Sequence, residues 1–187
     1  LDETRNNFLC SVCYEEGGLG LCFGDISTGD LTADQVLAQD METLLHILED
    51  RLARYSPSEI LLNPQALSFS GLADFIRDKL HAAVECQDQA LYDDLEGSQQ
   101  AVCRQFGGKS LAQLELSDKP LAVKALGALF DYLSRTQITG LERMNEVDIG
   151  ADAGVMGLDI NARRNLELTE TLRNKEKKGS LLWVLDR

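Results

Sequence analysis

The sequence predicts an α/β fold built on a mixed sheet, and three observations carry that prediction. Two apolar runs joined by a glycine-containing turn open the chain as a hairpin. A helix with leucines at helical spacing follows. A short apolar strand bounded by turn residues comes directly after that helix, the pattern of an α/β unit with a parallel or mixed sheet. The length, 187 residues with 44% hydrophobic and 26% charged, suits one large domain or a domain and part of a second.

The first run, Phe8-Leu9-Cys10-Ser11-Val12-Cys13-Tyr14, reads as a strand. Glu15-Glu16-Gly17-Gly18 is its turn, and residues 19–23 form the second strand. Ser27 to Asp30 is another turn signal, and Leu31-Thr32-Ala33 starts a third strand, so the first ~33 residues read as an antiparallel meander. Asp40 caps the helix, with Thr43 in its first turn. Leu44, Leu45, Leu48 and Leu52 form its apolar face, and Glu49, Asp50, Arg51 and Arg54 lie mostly opposite. Ser56-Pro57-Ser58 ends it, and Glu59-Ile60-Leu61-Leu62 is the buried strand, closed by Asn63-Pro64. A second helix spans residues 72–80, and residues 82–86 form a last short strand.

Beyond residue 87 the pattern changes. An acidic stretch to Gly97 precedes a short amphipathic one from Gln99 to Gly107. A strong helix starts at Ser117, capped by Ser117 or Asp118, with Pro120 in its first turn. Its apolar stripe is Ala122, Leu126, Leu129, Phe130 and Leu133. Residues 141–149 and 155–158 read as extended, and residues 163–172 as a helix.

A formal net charge of −13 opposes duplex DNA, whose binding rests on Lys and Arg neutralising phosphates. The basic residues at 163–187 are the exception, and a solvated helix end or turn is the simpler account of them. No run approaches the ~20 apolar residues of a transmembrane helix, and no signal peptide is visible. Leu1 in place of Met, and an end at Arg187 just after the apolar residues 181–185, predict a piece of a longer chain.

Five cysteines, Cys10, Cys13, Cys22, Cys86 and Cys103, read as reduced thiols, mostly buried. Cys10 and Cys13 have the spacing of a metal or redox pair. On a strand, however, residues three apart point to opposite faces, so the two sulfurs cannot share a tetrahedral zinc. His46 and His81 read as structural.

Several stretches, in order, resemble the MutS family of DNA mismatch-repair proteins. Asp25-Ile26-Ser27-Thr28-Gly29, after a hairpin opening Asn6-Asn7-Phe8, resembles the start of that family's connector domain. Pro57-Ser58-Glu59-Ile60-Leu61 and Gln105-Phe106-Gly107 resemble its inner strand and closing segment. Ala125-Leu126-Gly127-Ala128-Leu129-Phe130-Asp131-Tyr132-Leu133 with Thr136-Gln137 is similar to the first core helix. Met156-Gly157-Leu158-Asp159, Arg163-Arg164-Asn165-Leu166-Glu167-Leu168 and Gly179-Ser180-Leu181-Leu182-Trp183-Val184-Leu185-Asp186 are similar to later core signatures. Ala162 departs from the pattern, which has Thr before the arginine pair.

The resemblance implies a ribonuclease-H-like connector domain at 1–113 and the N-terminal part of a mostly helical core domain at 114–187. It implies a non-catalytic, cytoplasmic relay between mismatch-binding and ATPase regions that helps recruit MutL. Gln99 and Gln100 fall where the family's connector meets MutL; the competing reading is a plain solvated helix face. Catalytic, metal and cofactor sites are expected to be absent from this piece. ATP and Mg, mismatched DNA and the MutS homodimer belong to the full-length protein, and no phosphate loop of the form G-x-x-x-x-G-K-[ST] occurs here. The hinge candidate is the stretch 107–120, led by Gly107-Gly108.

The alternative is a ribonuclease-H-like, metal-dependent nuclease. Such enzymes gather several carboxylates, beginning in the middle of the first strand. The first strand here carries no acid between Phe8 and Tyr14, and Asp25 beside a turn reads as a turn residue.

Overall fold

The computed structural model describes residues 8–15, 17–136 and 141–150. The expected extended segment at 155–158, helix at 163–172, basic patch at 163–187 and apolar residues 181–185 lie outside the described residues.

Three strands open the fold: β1 (Phe8–Glu15), β2 (Gly18–Asp25) and β3 (Leu31–Leu37), paired antiparallel in sequence order. Gly17 makes the first turn at φ 87°, a left-handed conformation that glycine adopts without strain. Helix α1 (Met41–Tyr55) follows, and Asp40 caps it by accepting from the Thr43 N–H and hydroxyl. The chain then returns as β4 (Glu59–Leu62), parallel to β1. A 3-10 turn (Pro64–Ser68) and α2 (Leu72–Phe75), continued by a π-turn (Ile76–Leu80), lead to β5 (Ala83–Cys86), parallel to β4. Helices α3 (Gln89–Asp93), α4 (Leu95–Gln105) and α5 (Pro120–Thr136) come next. A 3-10 turn (Leu141–Arg143) precedes β6 (Asp148–Ile149), which lies parallel to β3. The sheet order is β5-β4-β1-β2-β3-β6, and with both parallel and antiparallel pairs it is the mixed α/β sheet expected. Residues 141–149, read as one extended segment, instead divide into a turn and a two-residue strand.

Side-chain alternation divides the core into two layers. Cys10, Val12, Tyr14, Leu19, Leu21 and Phe23 face Leu44, Leu48 and Leu52 of α1. Leu9, Cys13, Cys22 and Leu61 face α5, with α4 outside it. Cys10 and Cys13 therefore do sit on opposite faces of the sheet.

On the α5 face β2 presents Gly18, Gly20 and Gly24 at period two, which leaves a smooth trough for the helix. A Cβ on Gly20 would stand 2.0 Å from the Leu121 carbonyl oxygen, and one on Gly18 would stand 2.7 Å from Leu121 Cδ1. The outer side of α5 is covered by α4, where a Cβ on Gly127 would meet Ser98 Oγ at 2.9 Å. Coverage on both sides explains why Leu121, Val123, Ala125 and Ala128 are buried in addition to the expected stripe.

Polar ties hold α5 along its length. The Leu121 N–H donates to Gln35 Oε1 at 2.7 Å, so the helix start is capped from β3 rather than by Ser117 or Asp118. Lys124 pairs with Glu15, the Tyr132 hydroxyl donates to Glu59, and Arg135 Nη2 donates to Gln87 Oε1 at 2.6 Å. A connector domain at 1–113 and a core domain from 114 are the expectation. The helix beyond residue 113 is packed across the sheet, and the chain divides into compact units after Ile149. The hinge candidate 107–120 accordingly lies inside one compact unit. Gly107 and Gly108 do take positive φ, but Leu114 and Leu116 beyond them are buried.

Two further devices fix the sheet. Asn63 accepts from the Tyr14 N–H at 2.9 Å and donates to the Tyr14 carbonyl at 2.8 Å, continuing the β1–β4 pairing one step past Leu62 with a side chain. Arg51 is not on the solvent side of α1 as expected. It reaches over β3 to Asp34 at 3.1 Å, and both side chains are 8% exposed. Burial pushes the Asp34 carboxyl above its ordinary value of 3.8, and the Arg51 charge opposes that shift.

Gly20→Val is expected to cost about 3 kcal/mol or more, because the obstruction is backbone that cannot rotate away; urea unfolding measures it. Arg51→Met is expected to cost about 3–5 kcal/mol at neutral pH by leaving Asp34 charged and unpaired. A folded carboxyl with a raised pKa binds its proton more tightly than the unfolded one does. Stability therefore falls as pH rises through the window above 3.8. Without Arg51 that window widens, so the loss in the variant shrinks toward acid pH. Thermal melts across pH check the sign.

Candidate partner-binding surface

Helix α4 carries both expected partner-binding residues. Asp94 caps it by accepting from the Gly97 N–H at 3.0 Å. Ser98 and Val102 are buried on its inner face against α5. Neighbours on a helix are turned about 100° apart, and the structure leaves Gln99 half-buried and Gln100 exposed. The helix closes on Phe106, whose ring meets Phe130 edge-on at 5.8 Å. The surface around Gln100 is thus held by a rigid inner face.

Gln105 is placed by the same helix and does work that sequence reasoning missed. Its Nε2 donates to the Leu141 carbonyl at 2.9 Å and the Met144 carbonyl at 3.0 Å, tying the turn after α5 to α4. Its position in Gln105-Phe106-Gly107 was the only signal available. A cleft of about 490 Å³ lies beside this tie between α4 and α5, with Asp94, Ser98, Arg104, Asp131 and Ser134 on its walls. Gln99 and Gln100 are not among the residues that line it.

The other chemistry-bearing residues are dispersed. Asp25 ends β2 fully buried. Its Oδ1 accepts from the Ser27 N–H at 2.9 Å and the Ser27 hydroxyl at 2.6 Å, the work of a turn residue. The middle of β1 on the α5 face holds Ser11 opposite Cys22, where a nuclease would need an acid. Among the described residues no group of three or more His, Cys, Asp or Glu is placed to hold a metal ion.

Burial pushes the Cys13 and Cys22 thiols up to about 12 and raises Cys10 as well, so all three stay protonated at neutral pH. All five cysteines are free; Cys10, Cys13 and Cys22 are buried, whereas Cys86 is exposed and Cys103 half-buried. His46 is exposed on α1 beside Glu42, and His81 ends the π-turn in a left-handed conformation. Gly108-Lys109-Ser110 matches the second half of a phosphate loop. Cys103 stands where its first glycine belongs, and the segment follows a helix rather than a strand. No helix among the described residues is long and apolar enough to cross a membrane.

Gln105→Ala is expected to free the Leu141–Met144 turn and lower stability by about 1–2 kcal/mol. Hydrogen exchange should accelerate at Met144 while the amides of β1 stay protected.

Comparison with known proteins accounts for this arrangement. The family model described as MutS domain II matches residues 7–146. The chain is 39% identical over 187 residues to the DNA mismatch repair protein MutS of Caldanaerobacter subterraneus subsp. tengcongensis, covering 100% of this chain and 21% of that protein. It is 37% identical to the MutS of Lachnoclostridium phytofermentans, covering 100% and 19%. It therefore spans about a fifth of the length of these relatives. Among solved structures, T. thermophilus RuvC in complex with Holliday junction substrate aligns with a TM-score of 0.45 at 12% identity, over 70% of this chain and 96% of that one. The match runs from the first strand through the turn that Gln105 anchors, so the compact unit described above is a MutS domain II, and the chain belongs to the MutS family of DNA mismatch repair proteins.

Proposed function

We propose that this chain is the connector of a mismatch-recognition ATPase and that it performs no catalysis itself. In that role it passes conformational change between mismatch-binding and ATPase regions and helps recruit MutL. ATP, Mg, mismatched DNA and homodimer contacts reside in the remainder of the full-length protein, which works in the cytoplasm. The observation that carries this reading is the MutS domain II match over residues 7–146.

Two physical features support it. A relay must move as a body, and α5 is buried on both sides and tied to β3, β1 and β4 by side chains. A net charge of −13 disfavours direct contact with phosphates and suits a protein partner. Gln100, exposed on a helix whose inner face is fixed, with Gln99 beside it, is the proposed contact for MutL.

The test is Gln99→Ala with Gln100→Ala in the full-length protein. MutL affinity is expected to fall about tenfold or more, with mismatch binding unchanged. A MutL complex of undiminished affinity removes the two glutamines from the contact. Loss of mismatch binding as well would mean that the substitutions damage the fold.

A further inference from the structure

Among the described residues no strand pairs with the outer edge of β5, and the two sides of that edge differ in chemistry. β5 ends the sheet, and all four of its residues are exposed. The Ala83 N–H donates to the Ser58 carbonyl at 3.0 Å, and the Gln87 N–H donates to the Leu62 carbonyl at 2.9 Å. Backbone bonding alternates along a parallel strand, so residues 83, 85 and 87 face β4. Val84 and Cys86 turn their N–H and C=O groups to the open edge.

On the α1 side an apolar groove of about 410 Å³ runs beside the strand, with Leu62, Leu67, Leu72, Ile76 and Val84 among its walls. Leu67 and Val84 are 53% and 42% exposed, a costly presentation for large apolar side chains. The π-turn at Ile76–Leu80 shapes one wall, and single π-turns are frequent at functional sites. Arg77 on the rim is neutralised by Asp74 at 2.6 Å and Asp78 at 3.2 Å. On the α5 side the edge is acidic. Glu85 sits in register beside Leu61, two residues along from Glu59, and both carboxylates act on the Tyr132 hydroxyl. The basic group there, Arg135, is engaged by Asp131 and Gln87.

A second copy of the chain fits poorly. Antiparallel pairing of two β5 edges would bring two Glu85 side chains together in bodies that each carry −13. We propose instead that the β5 edge accepts a seventh strand from a partner polypeptide. The segment would be extended and would alternate apolar with basic side chains. Its apolar residues enter the groove beside Val84 and Leu67, and its Lys or Arg residues lie along Glu85. This does not rest on the relay reading or on the glutamines of α4.

The experiment uses this chain and labelled synthetic peptides of about eight residues, a usual strand length. One alternates lysine with valine, the other glutamate with valine. Fluorescence anisotropy is expected to give affinity for the lysine peptide about tenfold or more above that for the glutamate peptide, with a loss as salt rises. Glu85→Lys should narrow or reverse that preference. Val84→Pro removes only an outward N–H, which an edge strand tolerates, and should abolish binding. If that variant unfolds, hydrogen exchange on the unsubstituted chain decides, since the Val84 and Cys86 amides should slow when the lysine peptide is added. Equal affinities, no binding, slowed exchange elsewhere, or self-association through β5 would each overturn the proposal.

Discussion

Gly20 has no side chain, and the Leu121 carbonyl oxygen lies 2.0 Å from the place where one would begin. Most of the architecture depends on that close approach. It lets α5 lie in the trough of β2, deep enough to bury its far side under α4 as well. Once the helix is seated, its ends reach fixed polar partners: Gln35 at the start, Glu59 and Gln87 near the end. The placing of α4, and so the exposure of Gln100, follows from α5 in turn, because Ser98 is pressed against Gly127. Close-packed interiors transmit strain rather than absorb it.

The opposite face is held differently. Leucines of α1 pack on bulky β2 residues, and the buried ion pair of Arg51 with Asp34 adds a polar element there. Asn63 closes the strand pairing by imitating backbone. One face thus relies on backbone proximity and the other on side-chain volume, although both are served by the same strand at alternate positions.

The legible parts of the sequence were those set by local rules. Strands β1 to β5, the Asp40 cap and the end of α1 at Ser56 follow from periodicity and turn residues within a few positions of one another. The opposed sulfurs of Cys10 and Cys13 followed from strand geometry alone. The illegible parts depend on long-range partners. Arg51 looks like a solvated residue until β3 supplies Asp34. The start of α5 looks self-capped until Gln35 arrives from 86 residues away. The seat of α5 is a further case: only the glycines of β2, read by their strand phase, indicate where that helix goes. On α4, the sequence implied exposure for at least one of Gln99 and Gln100, whereas the double hydrogen bond of Gln105 could not be inferred from spacing.

The three glycines of β2 differ in how a defect at each can be repaired by a second change. At Gly18 the obstacles are Leu121 Cδ1 and Leu37 Cδ2, and at Gly24 Met144 Cε stands nearest. All are ends of side chains, and trimming the neighbour would restore room. At Gly20 the obstacle is a peptide carbonyl, which every amino acid carries. No exchange of residue at position 121 removes it. In a genetic screen, lesions at Gly18 and Gly24 would have intragenic suppressors at the residues they touch, while a lesion at Gly20 would have none at its point of contact and would revert only at its own codon.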